Sequence, residues 1–484
     1  AAAAAAAAAT GPWAGASGTG LWAGRWARRR KALPVASLPR DSSSGGVAGG
    51  DPAGEFAAGD RLQYAALFVV MPAFGFLAFP ALVGLCRSGG PGGSSVWCLA
   101  VYVAKRVYIY GLALLGVVIA ARRSVGLPAP LGERLEGLTE ELLRVGETPA
   151  LLSAQGGSSS SPASSLASLD KVADEQQALA LPILLGLALG ASATMLSLPQ
   201  GEASLGLRAA VAAFLPVLTL LSNAFFCTLA TKVELSTAIS ATGLLRVESG
   251  PDASSAARFR GDLLALVGAI AFLLASFFMP MQVVWPVQNI VNLCTAVAGA
   301  RALALPRVQP IVLLLLGVTV YDFLGTLGPL LLAKGSAVLG LGSASADVAT
   351  SAMERVALAK VGVGTGGTAA ASVLPSWRPG VLEVVLGGRI SDVMGLADLV
   401  FPAVLAGWAL REDLRSNQAD PGSSYFAAAL AGYAAGCLAC EAAGPLLGLP
   451  GLPALVFLVP LMLGGVCLVA LLRGELGKLW EQEG

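Results

Sequence analysis

The stretch that decides the fold is residues 313–328, LLLLGVTVYDFLGTLG, an apolar run interrupted by a single carboxylate, Asp322. A second stretch, residues 392–410, reads DVMGLADLVFPAVLAGWAL and contains Asp398. A bilayer core about 30 Å thick needs ~20 predominantly apolar helical residues, and both stretches approach that length. An aspartate near the middle of a membrane span costs about 2.5–3.5 kcal/mol on insertion scales. We therefore expect both aspartates to be functional.

The composition of the whole chain predicts a membrane protein. The chain has 484 residues, of which 55% are hydrophobic and 13% charged, and its mean hydropathy is +0.73. Soluble domains carry roughly 25% charged residues, so this chain lacks the charge to cover a water-facing surface. A formal net charge of +1 creates no field that would attract nucleic acid. The absence of histidine excludes Ser-His and Cys-His pairs and HExxH zinc sites.

Ten apolar runs are candidate membrane-spanning helices. We expect about nine of them to span, because Lys105 and Arg106 lie in the middle of the second run, where a charge is costly unless it snorkels or lines an aqueous cavity. The predicted fold class is an all-α polytopic membrane protein. The ten candidates are residues 62–86, 96–121, 179–198, 209–230, 263–284, 287–304, 310–332, 394–410, 425–447 and 453–472.

Polar segments divide the chain into four regions. Residues 1–60 are a low-complexity extension, rich in arginine and without acidic residues up to position 40. This composition is typical of a transit peptide or of a disordered tail. Residues 61–230 form a predicted N-terminal transmembrane bundle with an exposed loop at 122–177. Residues 231–262 are a predicted polar loop, and residues 263–484 form the second transmembrane region.

Two patterns that could suggest a cofactor or metal have a simpler interpretation. Gly362, Gly364 and Gly367 form a GxGxxG arrangement, but they lack the strand and helix that a dinucleotide-binding loop requires, so we interpret them as part of a flexible loop. Cys437 and Cys440 form a CxxC on an apolar helix, which favours helix packing over a redox role. The seven cysteines together are expected to be small buried residues rather than a disulfide framework.

The two aspartates alone leave three functions open. If Asp322 and Asp398 face one water-filled cavity, mutual repulsion lets them share a single proton. One carboxylate then takes a proton from water while the other donates to a scissile carbonyl, as in an aspartic protease, without metal or cofactor. The same pair could also bind the coupling cation or proton of a transporter. Alternatively, each aspartate makes only a buried hydrogen bond to a neighbouring helix.

Three motifs in a fixed order give the chain a family resemblance. They resemble the YD, GxGD and PAL motifs of signal peptide peptidases and presenilins. The surrounding segments 285–303, 395–413 and 453–460 are more similar to the signal peptide peptidase branch. The resemblance covers roughly residues 263–484. The motifs are Tyr321-Asp322, Gly395-Leu396-Ala397-Asp398 and Pro453-Ala454-Leu455.

The resemblance implies a presenilin-like bundle of nine spans and an intramembrane aspartic endopeptidase. Asp322 and Asp398 would be the catalytic pair, and the other motif residues would bind substrate or shape the site. The implied substrates are residual signal peptides or type II membrane proteins within the lipid bilayer. Neither a cofactor nor a metal nor nucleic acid is implied, and a homo-oligomer is open. A substrate strand is expected to pair with the β-prone run VLEVVL at 381–386.

Two departures from the family pattern keep alternatives open. The family has glycine where this chain has Ala397, and usually glutamine where it has Leu452. A catalytically degenerate homologue that binds helices without cutting them is therefore one alternative, and a proton- or cation-coupled transporter is another. The resemblance implies location in the endoplasmic reticulum or another endomembrane, whereas the composition of residues 1–60 favours a plastid.

Overall fold

Helices make up nearly all of the described part of this protein. The computed structural model describes residues 61–88, 94–125, 205–242, 251–326, 378–386, 389–416, 424–447 and 452–481. The elements are α1 (61–88), α2 (Ser94–Arg123), α3 (Leu205–Thr242), α4 (Pro251–Phe278), α5 (Met281–Ala302), α6 (Val308–Thr326), β1 (Val381–Leu386), β2 (Arg389–Gly395), α7 (Ala397–Arg415), α8 (Tyr425–Leu447), α9 (Leu455–Leu472) and α10 (Leu476–Glu481). The extension 1–60, the candidate span 179–198 and the glycines at 362–367 lie outside the described residues.

Six helices in the described part are long and apolar enough to cross a membrane, and α6 contributes a shorter apolar segment, Val308–Leu324. A helix pairs most of its backbone N–H and C=O groups within itself, which suits a bilayer without water. The predicted fold class, an all-α polytopic membrane protein, is confirmed. The six are Arg61–Cys86, Val96–Arg123, Phe259–Phe278, Met281–Ala302, Tyr425–Gly444 and Leu455–Leu472.

Helix α7 lies at the centre of the bundle. It packs against α2, α5, α6, α8 and α9. Every residue from Phe401 to Ala409 is buried, and Trp408 is 1% exposed. A helix enclosed by other helices can carry polar residues that lipid would not tolerate, which explains the charges at its C-terminal end.

Those charges anchor the end of α7. Arg411 donates hydrogen bonds to the backbone oxygens of Ser124 and Leu305, so one guanidinium joins three segments of the chain. Asp413 accepts hydrogen bonds from the backbone N–H groups of Tyr425 and Phe426 at 2.9 and 2.8 Å. These are among the first N–H groups of α8, which lack partners within their own helix.

Glycine brings α8 and α9 into backbone contact. A Cβ atom at Gly432 would lie 2.6 Å from the carbonyl oxygen of Leu461, and one at Gly436 would lie 2.8 Å from the Cα of Leu458. Without side chains at these positions, the two helices approach closely, as small residues allow in membrane bundles. This contact fixes α9, and with it the Pro453-Ala454-Leu455 segment.

Three predicted boundaries are wrong. The predicted polar loop 231–262 is helical at both ends, because α3 continues to Thr242 and α4 begins at Pro251. Local backbone chemistry explains the other two. The candidate spans 263–284 and 287–304 meet instead at Met279–Pro280, because Pro280 adopts an extended conformation (φ −64°, ψ 140°) and caps the start of α5. The candidate span 394–410 begins later, at Ala397, because the residues before it pair with β1 as strand β2.

The expectation that the seven cysteines are small buried residues rather than a disulfide framework is wrong for Cys86 and Cys98. Cys86 at the end of α1 and Cys98 at the start of α2 are joined, with their Cα atoms 5.2 Å apart. The connection between α1 and α2 is short, so the two helix ends lie side by side, and the packing of α1 on α2 brings the thiols together. Cys437 and Cys440 are free, as expected for cysteines used in packing.

Candidate active site

Asp322 and Asp398 come from the two helices that meet at one end of the bundle. Asp322 lies in the last turns of α6, and Asp398 in the first turn of α7. The two carboxylates are close enough to interact electrostatically. The carboxylate of Asp322 lies next to the backbone of Leu455, and the carboxylate of Asp398 lies next to the backbone of Gly395. The fold therefore brings together the three motifs, which are far apart in the sequence.

The remaining motif residues shape this end of the bundle. Leu396 connects strand and helix, because its N–H donates to the carbonyl of Gly380 at 3.1 Å while its own carbonyl accepts from Val400 at 2.8 Å. Pro453 is buried and Ala454 half-buried beside it. Tyr321 is half-buried next to Asp322.

Ala397, where the family has glycine, is compatible with the backbone at this point. It is the first residue of α7, and Leu396 before it is already helical (φ −65°, ψ −23°). The glycines with positive φ in the described part of the chain are Gly380 and Gly474. Only a left-handed conformation would demand glycine on backbone grounds, and the methyl group of Ala397 is exposed. The substitution thus introduces no backbone strain.

The β-prone run predicted at 381–386 is confirmed as strand β1, which pairs antiparallel with β2 from Val381↔Gly395 to Leu386↔Arg389. Its opposite edge is occupied by α5. Asn289 accepts a hydrogen bond from the N–H of Glu383 and donates one to its carbonyl, both at 2.8 Å. Asn292 donates to the carbonyl of Val381 at 2.7 Å.

These contacts overturn the expectation that a substrate strand pairs with β1 itself. Between Val381 and Glu383, both edges of β1 are already hydrogen-bonded. In an antiparallel pair, successive residues direct their N–H and C=O groups to opposite sides. Since Glu383 points toward α5, its partner Val393 directs its own groups away from β1. The described sheet has two strands, so its open edge lies on β2, which ends at Gly395 beside Asp398.

Functional candidates that the sequence analysis missed lie on α2, α5 and α8. The amides of Asn289 and Asn292 have a recognisable signal, because polar residues in a span mark contacts inside a bundle. In the sequence, Lys105 and Arg106 stand out only as charges in the middle of a candidate span. In the structure they form ion pairs with Asp392 of β2, both at 2.8 Å. Within the described ranges, no group of three or more His, Cys, Asp or Glu side chains is placed to hold a metal ion.

The fold and this site define a class: polytopic membrane proteins that hold two aspartates together inside a helical bundle. The sequence profile of the signal peptide peptidase family matches residues 202–484, more than half of the chain. The chain therefore belongs to the signal peptide peptidase family. This finding confirms the resemblance inferred from the three motifs.

Curated relatives carry the same family name. Signal peptide peptidase-like 3 of Oryza sativa subsp. japonica is 40% identical over 90 residues, which is 19% of this chain and 17% of the relative. Signal peptide peptidase-like 2B of Homo sapiens is 29% identical over 224 residues, or 44% of this chain and 35% of the relative. The chain thus spans about a third or less of the length of these relatives. No solved structure matches it significantly.

Proposed function

We propose that this protein is an intramembrane aspartic endopeptidase with Asp322 and Asp398 as its catalytic pair. The observation that carries the proposal is the meeting of Asp322, Asp398 and the backbone of Leu455 at one end of the bundle. Family membership supports it, because signal peptide peptidases are intramembrane proteases. Two carboxylates that repel each other at short range favour a state with one shared proton.

In the proposed mechanism, the ionised carboxylate takes a proton from a water molecule as that water attacks the scissile carbonyl carbon. The protonated carboxylate donates its proton to the carbonyl oxygen, which gives a neutral tetrahedral diol. The carboxyl that took the water proton then protonates the amide nitrogen while the other carboxylate accepts a proton from a diol hydroxyl, and the C–N bond breaks to give an amine and a carboxylic acid. No acyl-enzyme forms, and the reaction needs neither histidine nor metal.

The substrate must be extended where it is cut, because a helical peptide bond is shielded by its own helix. The open edge of β2 supplies N–H and C=O groups to a strand that has left its helix. Val393 lies on that edge and is 41% exposed. Gly395 then leads the strand toward Asp398, and a Cβ at Gly395 would lie 3.4 Å from the Asp398 Oδ2 atom. The missing side chain leaves room for a substrate backbone.

The proposed substrates are membrane-spanning segments such as residual signal peptides and type II membrane proteins, by analogy with the family name. The proposed location is an endomembrane such as the endoplasmic reticulum. A fluorescent protein fused to residues 1–60 tests this location, because import into plastids would contradict it.

Cleavage by purified protein in liposomes tests the catalytic pair. The substrate is a tagged type II segment of ~20 apolar residues. We expect Asp322→Asn and Asp398→Asn each to lower cleavage at least about 100-fold, since general acid–base groups contribute roughly 10²–10⁴-fold. Asp262→Asn is the matched control, because Asp262 lies on α4 and accepts a hydrogen bond from Ser236. It should retain activity.

The same preparations separate the alternatives. Equal cleavage by the wild type and both active-site variants would refute the proposed pair. Proton or cation flux that depends on Asp322 and Asp398, without cleavage, would identify a transporter. Binding of the segment without cleavage by the wild type would identify a degenerate homologue.

A further inference from the structure

A compact cluster of charges joins α2, β2 and α8 beside the candidate site. Lys105 and Arg106 each approach a carboxylate oxygen of Asp392 at 2.8 Å. Arg106 also pairs with Glu441 of α8 at 3.1 Å. The hydroxyl of Tyr110 donates to Glu441 at 2.8 Å. The cluster therefore connects the strand with the open edge to two helices that frame the site.

The cluster is balanced in charge and partly shielded from solvent. Two cations face two anions; the side chains of Asp392 and Lys105 are 6% and 14% exposed, and those of Glu441 and Arg106 are 24% and 30% exposed. Attraction between charges is strong in such surroundings, and a charge left without its partner is costly. The strand therefore cannot slide along α2 without separating ion pairs. The hydrogen bonds from Asn289 and Asn292 hold the hairpin through β1, and the ion pairs hold it through β2.

The position of Asp392 makes this anchor relevant to cleavage. Asp392 directs its backbone groups toward β1, and the next residue, Val393, directs its groups to the open edge. Gly395 follows two residues later. At ~3.3 Å per residue, Asp392 lies about 10 Å from Gly395 along β2. The ion pairs at Asp392 therefore fix the position of the open edge, along the strand direction, relative to Asp398. A slip of the hairpin by two residues would move that edge by about 7 Å.

We propose that Lys105, Arg106, Asp392 and Glu441 are positioning residues that determine which peptide bond of a substrate lies between the two aspartates. The proposal rests on the proposed function. None of the four takes part in proton transfer. They act through β2: the ion pairs fix the strand, the strand fixes the register of the substrate, and the register selects the bond that is cut.

A charge-neutralising cycle tests this inference. Asp392→Asn leaves the cluster with an excess positive charge, and Lys105→Gln leaves it with an excess negative charge. The double variant Lys105→Gln/Asp392→Asn is again neutral, and both of its new side chains can form hydrogen bonds. With the type II segment in liposomes, we expect Asp392→Asn to lower kcat/KM at least about 10-fold and to add cut sites detectable by mass spectrometry. We expect the double variant to recover most of the activity at the wild-type bond. Arg415→Gln is the control, because it removes an ion pair at 60% exposure.

The register of the bound substrate segment on the open edge of β2 is also measurable without cleavage. A photo-cross-linking residue at position 393, introduced as Val393→p-benzoylphenylalanine, reports which residue of the bound segment faces the open edge. We expect one principal cross-linked residue with the native cluster, several with Asp392→Asn, and one again with the double variant. Simple unfolding would lower the total yield without redistributing it, and thermal unfolding of each variant identifies that case.

The outcomes separate the two proposals. If Asp398→Asn abolishes cleavage while Asp392→Asn cuts the same bond at the wild-type rate, the catalytic proposal stands and the positioning proposal fails. If the double variant is no better than Asp392→Asn, charge balance is not the cause and the positioning proposal fails. If the wild type does not cleave, the cross-linking pattern alone decides, and an unchanged pattern in Asp392→Asn overturns the proposal.

Discussion

Helices α4 and α5 are neighbours in the chain, separated by Met279 and Pro280, yet they have opposite surroundings. In the most apolar stretch of each helix, 22% of the residues of α4 are buried, against 78% for α5. The outer face of α4 presents apolar side chains such as Leu264 and Leu274. Helix α5 buries the amides of Gln288, Asn289 and Asn292.

The difference shows what amides do inside a span. In α4, a polar side chain toward lipid would have no partner. In α5, Asn289 and Asn292 replace the missing neighbour strand of β1, since buried backbone N–H and C=O groups need hydrogen-bond partners. Helix α5 therefore holds the hairpin in place, whereas α4 forms part of the outer surface of the bundle.

The largest effect is expected from removing the hydrogen bonds between α5 and β1. Asn289→Leu leaves the N–H and the carbonyl of Glu383 buried without partners, and each such group costs about 1–3 kcal/mol. We expect the free energy of unfolding to fall by about 2–5 kcal/mol, with faster hydrogen exchange in β1 and a large loss of cleavage. Thermal unfolding in detergent and hydrogen exchange measure both.

The control for Asn289→Leu is Leu274→Ala, a substitution on the outer surface of α4. Leu274 is 49% exposed on α4, so we expect a change within about 0.5 kcal/mol and unchanged exchange in β1. If Asn289→Leu and Leu274→Ala lowered the free energy of unfolding by similar amounts, the proposed difference between α5 and α4 would be contradicted.

Much of this arrangement follows from sequence alone. The order of Tyr321-Asp322, Gly395-Leu396-Ala397-Asp398 and Pro453-Ala454-Leu455 predicted the family, and the β-branched run at 381–386 predicted a strand. The family followed from the resemblance of these motifs to a known family, and the β propensity of the local sequence was sufficient for the strand. The break at Pro280 was missed because hydropathy is nearly continuous across it, and a proline in an apolar run does not by itself decide between a kink and an end.

Contacts between distant residues could not be predicted in the same way. Arg106 and Asp392 are far apart in the chain, and neither local sequence contains a pattern that predicts their pairing. The pairing of Asn289 with Glu383 depends on which edge of a strand faces which helix, and that is decided by packing. The side of the hairpin that remains open, β2 rather than β1, follows only from those contacts.

A smaller effect is expected from adding one methyl group on α2, where it packs against α5, and one on α4, where it packs against α3. A Cβ at Gly116 would lie 2.9 Å from the Cδ1 of Leu399 and would also meet Leu293 of α5, so two buried side chains would have to shift. One at Gly268 of α4 would lie 2.7 Å from the Cδ2 of Leu235, a single flexible side-chain end.

Replacement of glycine by alanine favours a helix by about 1 kcal/mol, while overpacking costs typically 1–3 kcal/mol. We expect Gly116→Ala to lower the free energy of unfolding by about 1–2 kcal/mol, and Gly268→Ala to leave it unchanged or raise it slightly. Thermal unfolding of the two variants in the same detergent measures the contrast. Equal destabilisation would show that α4 packs as tightly against α3 as α2 packs against α5.

The smallest expected effect concerns the charge of Glu383, whose backbone is held by α5. Burial raises the pKa of its carboxyl above the ordinary value of 4.5, although the nearby Arg378 guanidinium lowers it in part. The folded state therefore binds this proton more tightly than the unfolded state. The contribution of Glu383 to stability is full below pH 4.5 and declines as the pH rises through the raised pKa.

Glu383→Gln mimics the protonated side chain at every pH. Relative to the wild type, we expect the variant to be equally stable below pH 4.5, the ordinary value, and slightly more stable near neutrality. The measurement is thermal unfolding of both proteins across that pH range, taken as a difference so that other titrating groups cancel. If the wild type instead gains stability over the variant as the pH rises, the ion pair with Arg378 outweighs burial, and the hairpin is held by charge on its α5 side as well as at Asp392.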